Sequence, residues 1–499
     1  MIPAPSIYLI FNKEEKLNLL NGFIIINSDF APYCSEVFTL RIPAPTNSNI
    51  IIRLIKSNDT TTYNLLIQNN NISISGKDEQ AIILGLTTLY NLHLEDKVIN
   101  KTIIKDHALY LHRGLSFDSA RHFFTITEIK KIIEEMSLIK LNVFHWHLSD
   151  DQGFRIESKL FPTLASPEHY TQDEIKDLDY YCKIRGIKII PEIDMPGHVS
   201  SILSVYPKFS CFETATTISN LAGIYENVFC PSKPEVYSFI NKLLGEISGL
   251  FMTDIIHLGG DEVPKYNYKH CDLCQQTMLE NDLNNYEELQ GYFLKRVSEN
   301  INKKIILWND SLLGNYLPDN SLIQFWLNKT VELKAYNKLK KPIIDSNMYV
   351  FYFDYPLALL PLKRVYKYKS PFNNIQGHEA CLWSERITSN EELERMLFPR
   401  LYAVAEACWD NKKNYRVFLN NIELMKKAQR VLISENDLSR KHLKVERRKY
   451  WQTVLNMPTV SSSEKGKTSL KTQLDFFRYF MKFSDFKLIK EIKKKYEKH

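Results

Sequence analysis

Three stretches decide the fold: ALYLHRG (108–114), VFHWHL (143–148) and IKIIPEIDM (187–195). Each is a short apolar run rich in β-formers, and between them lie segments with helical spacing. Thr125-Ile126-Thr127-Glu128 and Thr171-Gln172-Asp173-Glu174 match the capping-box pattern, in which a Thr hydroxyl and a Glu carboxylate each satisfy a free amide at a helix start. Apolar residues then recur at Ile129, Ile132, Ile133, Met136 and Ile139. Further strands are expected at DIIHLGG (254–260), KIILWND (304–310), SLIQFW (321–326), the stretch around MYVFYFDY (348–355) and ACLWSE (380–385). A helix over NEELERMLFPRLYAVAEAC (390–408) closes the series. Eight strands linked mostly by helices predict a parallel sheet closed into a (β/α)8 TIM-type barrel over residues 106–410.

Outward from the barrel, residues 1–105 read as a small α/β domain. FIIIN (23–27), VFTLRI (37–42), IIIRLIK (50–56) and YNLLIQ (63–68) are expected strands, and AIILGLTTLYNLHLE (81–95) an amphipathic helix. Residues 411–499 are expected to be a helical extension with a basic tail. Residues 440–499 carry 17 Lys/Arg against 6 Asp/Glu, which leaves the rest of the chain slightly acidic although the whole carries +6. That distribution argues against a nucleic-acid-binding body and makes the tail a candidate surface contact. With 44% hydrophobic and 24% charged residues the chain is of globular type, and no apolar run suggests a membrane span. The N-terminal MIPAPSIYLIFNKEEK shows no leader pattern, so the sequence reads as intracellular or as exported with its leader absent. A homodimer is a candidate assembly.

Polar residues follow the apolar strand cores: Arg113, His145 with His147, Asp194, Asp261 with Glu262, Trp308, Trp326, Tyr352 with Asp354, and Trp383 with Glu385. In a barrel the C-terminal strand ends converge on one face, where active sites lie. HLGGDEV (257–263) is the strongest local signal, two glycines before two adjacent carboxylates. Consecutive strand residues face opposite ways, so Asp261 and Glu262 are expected to have different jobs, one protonated and one ionised. Three tryptophans suit the apolar faces of a pyranose ring, and charged groups suit its hydroxyls. Together they describe a glycosidase site.

At these residues the chain resembles glycoside hydrolase family 20, the β-N-acetylhexosaminidases. The matching stretches are HRGLSFDSARHF, NVFHWHLSDDQGFRIES, GIKIIPEIDMPGH, HLGGDEV, ILWND, QFW, YFDY and ACLWSE, spread over roughly residues 60–410. The resemblance implies retaining, substrate-assisted removal of terminal β-linked N-acetylglucosamine or N-acetylgalactosamine from an oligosaccharide or glycoconjugate, through an oxazolinium intermediate. It implies that Glu262 is the acid and later the base. Asp261 orients the 2-acetamido group, and Tyr352 bonds its carbonyl oxygen. Arg113, Asp354 and Glu385 hold hydroxyls, and Trp308, Trp326 and Trp383 wall the pocket. Asp150, Asp194, His198 and His257 support Arg113 and the acid pair. No cofactor and no metal are expected. The chain departs from the pattern in lacking a Trp between 327 and 382, so either Tyr366 or Tyr368 stands in or the far wall is more open. GHEACLW also places Glu379 where an uncharged amide is commoner.

The competing readings are a carbohydrate-binding pseudoenzyme and a metal-dependent barrel hydrolase using His145, His147, His257 and Asp261. Cys271 and Cys274, beside His270, read as loop packing. A local disulfide or half a zinc site are alternatives, since no second C-x-x-C follows.

Overall fold

The computed structural model describes residues 1–427 apart from 43–44, 46–48, 59–61, 97, 219–222, 328–340, 386, 388 and 411–413. The basic tail expected at 440–499 lies outside the described residues. Among the described residues, no helix is long and apolar enough to cross a membrane.

An N-terminal sheet comprises β1 (Ile7–Leu17), β2 (Ile24–Asn27), β3 (Ile51–Lys56), β4 (Tyr63–Gln68), β5 (Asn71–Gly76) and β6 (Ile99–Asp106), in the order β1-β6-β4-β5-β3-β2. The helix Glu79–Glu95 packs on it, with Asp78 accepting from the Ala81 amide at its start. VFTLRI is helical, not extended, up to its C-cap Ile42: it ends the helix Tyr33–Arg41, which buries Cys34, Val37 and Phe38 at helical spacing, Cys34 and Phe38 in the core shared with Glu79–Glu95. Tertiary burial of that face overrides the β propensity of Val and Phe.

The barrel is closed by β7 (His112–Asp118), β8 (Val143–Ser149), β9 (Lys188–Ile193), β10 (Ile255–His257), β11 (Lys304–Trp308), β12 (Ser321–Phe325), β13 (Ile343–Asp345) and β14 (Ile375–Leu382), with β14 pairing β7. Both capping boxes form as expected. The seventh barrel strand is Ile343–Asp345, and not the MYVFYFDY stretch. Met348–Phe351 is instead a helical turn, held by the Asn347 side chain accepting from the Tyr349 amide, and it delivers Tyr352 to the barrel rim. Register fixes a polar layer near the C-terminal rim: Asp118 pairs with His147, His147 with Glu192, and Glu192 with His257. Beneath it Val143, Ile190, Ile306 and Ile344 fill the interior with apolar side chains. The helix Tyr415–Lys427 joins the barrel core through Phe418, Ile422 and Met425.

Sheet and barrel meet over a fully buried ion pair. The Lys140 ammonium lies 2.9 Å from Asp106 Oδ2 and donates to the Tyr63 hydroxyl at 2.8 Å. Tyr63 and the Trp409 indole donate to the two Asp106 oxygens at 2.6 and 2.8 Å. Lys140 also sits 4.5 Å above the Trp409 ring. Burial opposes ionisation of Asp106, but Lys140 and these donors outweigh it and hold the carboxyl below its ordinary range. Asp106→Ala strands a buried ammonium and is expected to cost about 3–5 kcal/mol, seen as a lower denaturant midpoint. Combining Asp106→Leu with Lys140→Met should recover much of that loss.

Candidate active site

The two candidate carboxyls stand on a left-handed turn beyond the end of β10, so strand alternation does not separate them. Gly259, Gly260 and Glu262 have φ of 67°, 91° and 48°. A β-carbon at Gly259 would stand 1.6 Å from Asp194 Oδ1, and one at Gly260 2.4 Å from Ser311 Oγ. Both positions therefore require glycine for space as well as for backbone conformation. The turn is pinned by the Gly260 amide donating to Asp194 Oδ1 at 3.1 Å. On the other side Gln290 donates to the Gly260 carbonyl at 2.8 Å. A non-glycine residue at φ 48° is a strained placement, retained where the surroundings over-determine it.

Electrostatics raises both carboxyls of the pair. Burial pushes the Glu262 carboxyl up to about 7, with Asp261 and Asp310 adding to the effect and His198 opposing it. Burial likewise raises Asp261, to about 6, against the pull of His198. Asp194, buried beside Asp261, is held well above the carboxylate range. One third of the Glu262 side chain still faces the open cup. Asp261 Oδ1 is buried with no hydrogen-bond partner in the protein. His198, itself at φ 55°, stands 3.8 Å from Glu262 through Nε2 and 3.2 Å from Asp150 through Nδ1. Asp150 outweighs burial and holds His198 in its cationic form.

Around the carboxyls lies an aromatic cup. Trp326 stacks parallel to Tyr352 at 6.2 Å, Trp383 meets Tyr352 edge-on at 5.8 Å, and Trp308 lies 5.9 Å from Trp383. Two indole N–H groups are tied down, Trp308 to Glu192 Oε1 at 2.8 Å and Trp326 to Asp310 Oδ2 at 2.7 Å. Burial keeps the Tyr352 phenol protonated. Tyr355 extends the stack on Tyr352 at 6.5 Å. Neither expected substitute for the missing tryptophan reaches the cup. Tyr366 packs on Phe418 in the core, and the Tyr368 hydroxyl donates to Asp345 at 2.9 Å.

Arg113 is not at this site. It is the second residue of β7, near the N-terminal end of the barrel. Its guanidinium donates to the carbonyls of Lys140 and Tyr110, both at 2.9 Å, and lies over Trp409. The arginine at the cup is Arg121, three residues beyond the same strand. It reaches Asp118 at 3.2 Å, Asp150 at 2.7 Å and Glu385 at 3.3 Å, and lies over Trp383 at 5.1 Å. Asp150 and His198 therefore support Arg121, in place of the expected Arg113.

Beneath the cup, Glu192 organises the barrel interior. His147 Nδ1 is 2.5 Å from it, His257 Nδ1 2.9 Å and His145 Nε2 3.1 Å. Burial works against ionisation of Glu192, but the surrounding histidines hold it well below the carboxylate range. Glu379 has the same character, contacting His112 Nε2 at 2.6 Å and His145 Nδ1 at 2.7 Å and accepting from Gln324 at 2.7 Å. Between the two carboxylates His145 rises to about 9 despite its burial, so it is a cation. Glu379 is thus the counterion of a buried imidazolium, a role an amide cannot fill. His145, His147, His257 and Asp261 do not converge as one ligand set. His145 groups with Glu192 and His257, His147 with Asp150 and Asp194, and Asp261 with Asp194 and His198. Glu192, Arg121 and Asp310 escaped the sequence reading, although all three lie inside the quoted stretches.

Residues 110–412 match the family model described as glycosyl hydrolase family 20, catalytic domain. The chain is 31% identical over 408 residues to a beta-hexosaminidase of Porphyromonas gingivalis, covering 72% of this chain and 52%, about half, of that protein. It is 30% identical over 397 residues to a beta-hexosaminidase of Akkermansia muciniphila, covering 70% and 80% of the two chains. The crystal structure of a beta-N-acetylhexosaminidase from Bacteroides fragilis superposes with a TM-score of 0.76 at 27% identity, over 86% of this chain and 96% of that one.

The raised carboxyl has a consequence for stability. Glu262 ionises near 4.5 when unfolded and near 7 when folded, so its favourable contribution is complete below pH 4.5 and is lost as pH rises through 7. Glu262→Gln removes that loss. Its thermal midpoint relative to wild type should rise between pH 4.5 and 7 and stay level above. A difference independent of pH would contradict the placement of Glu262 in a desolvating site.

Proposed function

The chain belongs to glycosyl hydrolase family 20, and on that premise we propose that it is a retaining exo-β-N-acetylhexosaminidase acting by substrate assistance. The observation that carries this reading is the Asp261–Glu262 doublet, two carboxyls with raised pKa on one turn beside the Tyr352 phenol and three indoles. A terminal N-acetylhexosamine sits with its apolar face on the Trp wall. Tyr352 donates to the acetamido carbonyl, and Asp261, whose Oδ1 has no partner within the protein, takes the acetamido N–H. The acetamido oxygen attacks the anomeric carbon as the glycosidic bond breaks, and the Glu262 proton passes to the departing oxygen. The resulting oxazolinium cation faces the Asp261 carboxylate. Water then adds to the anomeric carbon from the vacated face and gives its proton to Glu262, which restores the acid and the acetamide. Configuration is retained, as in the substrate-assisted exceptions to the two-carboxylate scheme.

The physical order of ionisation supports this division. Asp261 loses its proton near 6 while Glu262 keeps its own to about 7, so an acid beside an anion is the state populated between them. Arg121, paired to Glu385 and stacked on Trp383, takes the hydroxyl contacts with Glu385 and Asp354. The anionic partners of Arg121 fix the guanidinium before substrate arrives, so little ordering is needed on binding.

A panel of chromogenic β-glycosides tests the assignment. Hydrolysis of the N-acetyl-β-glucosaminide with β-anomer released first, and none of the non-acetylated glucoside, is expected. Equal rates on both would remove the acetamide from the mechanism. The pH profile of kcat/KM should be bell-shaped, with limbs near 6 and 7. Glu262→Gln should lose turnover on poor leaving groups yet bind product, and Asp261→Asn should slow activated substrates too. Arg121→Ala should reduce kcat/KM roughly 10- to 100-fold, the worth of one or two charge-assisted hydrogen bonds.

A further inference from the structure

Four cysteines distant in sequence converge outside the barrel. Cys211 and Cys230 lie on the long connection after β9, and Cys271 and Cys274 on the connection after β10. All four sulfurs lie within 4.8 Å of one another. Cys211 Sγ and Cys230 Sγ stand 3.8 and 3.7 Å from Cys274 Sγ. These separations far exceed the ~2.05 Å of a disulfide. A tetrahedral metal with Zn–S bonds of ~2.3 Å sets its sulfurs about 3.8 Å apart. The backbone supplies further support: amides of Ser232 and Cys274 donate to the sulfurs of Cys230 and Cys271, the outer contacts that orient metal-bound sulfurs. Cys271 is also the N-cap of the helix Asp272–Glu280, at its electropositive end.

We propose that Cys211, Cys230, Cys271 and Cys274 bind one structural Zn2+ ion that fastens the connection after β9 to the turn bearing Glu262. Four thiolates close the coordination shell, so the ion has no open position and takes no part in hydrolysis. Its place in the fold gives it a positioning role. Val228, Val263, Tyr268, Leu283 and Leu289 surround the sulfurs in one apolar cluster, and Val263 directly follows Glu262. The Tyr268 hydroxyl donates to the Phe229 carbonyl at 3.2 Å, and the Phe229 amide to the Pro196 carbonyl at 3.0 Å, two residues from His198. Locking the sulfurs therefore braces the backbone behind both Glu262 and His198. An unmetallated cluster would leave four thiols in contact with only weak S–H donors between them.

The test is the metal content of the full chain, purified with reductant and without chelator. About one equivalent of zinc per chain is expected. A mercurial that titrates thiols should release it in step with four sulfurs. Reconstitution with Co2+ should give thiolate charge-transfer and tetrahedral d–d bands. Cys211→Ser and Cys274→Ser should each lose the metal, while Cys34→Ser, at a buried cysteine elsewhere, should retain it. Should the cluster variants fail to fold, the wild-type metal content still decides. A reduced wild-type chain without stoichiometric metal, iron in place of zinc, or disulfides among these cysteines in freshly isolated protein would overturn the proposal. Metal content is read independently of hydrolysis, so this outcome is separate from the fate of the assigned activity.

Discussion

The charge of Glu192, placed at the centre of the barrel by the register of β9 with β8 and β10, is the constraint on which the site depends. An isolated carboxylate there would cost several kcal/mol, and the cost is offset because His147, His145, His257 and the Trp308 indole all face it. The consequences spread upward. His147 is cationic and meets Asp150, which in turn fixes Arg121 and His198. Glu192 itself helps to raise both Asp194 and Asp261. A single anion thus holds the Trp308 indole, orients the arginine through an intermediate carboxylate and biases Asp194 and Asp261.

Burial raises Asp261 and Glu262 by similar amounts, from 3.8 to about 6 and from 4.5 to about 7, so the order of the two follows the ordinary difference between Asp and Glu. Both feel burial, and both feel His198 as a nearby cation. Asp261 lies closer to the buried polar layer, while Glu262 projects into the open cup with Asp261 as a neighbouring anion. The left-handed turn makes this geometry available: two glycines at positive φ allow the chain to reverse so tightly that adjacent residues reach separate environments.

Much of this was legible in the sequence because its signals are local. Apolar runs bounded by turn residues located seven of the eight barrel strands, and two capping boxes located helix starts. The seventh strand was missed because it is three residues long, while the aromatic run that follows it has stronger β character. Arg113 was misplaced because pattern alone does not tell the start of a strand from its end. Position two of a seven-residue strand puts a side chain at the opposite mouth from position seven. Glu192 was passed over as an isolated acid within an apolar run, whose partners lie on other strands. The cysteine cluster has the same character: only C-x-x-C is local, and the two remaining thiols arrive by a long connection.

The junction between sheet and barrel bears on how such a chain could be rearranged. Lys140 and Trp409 belong to the barrel, but the carboxylate to which both donate, Asp106, is the last residue of β6. Arg113 is stacked on that same tryptophan. A barrel excised at the apparent boundary would keep two buried cations and an indole donor but forfeit the carboxylate that answers them. The catalytic barrel is therefore not a portable module, and any fusion or shuffling of this unit must carry the preceding sheet with it.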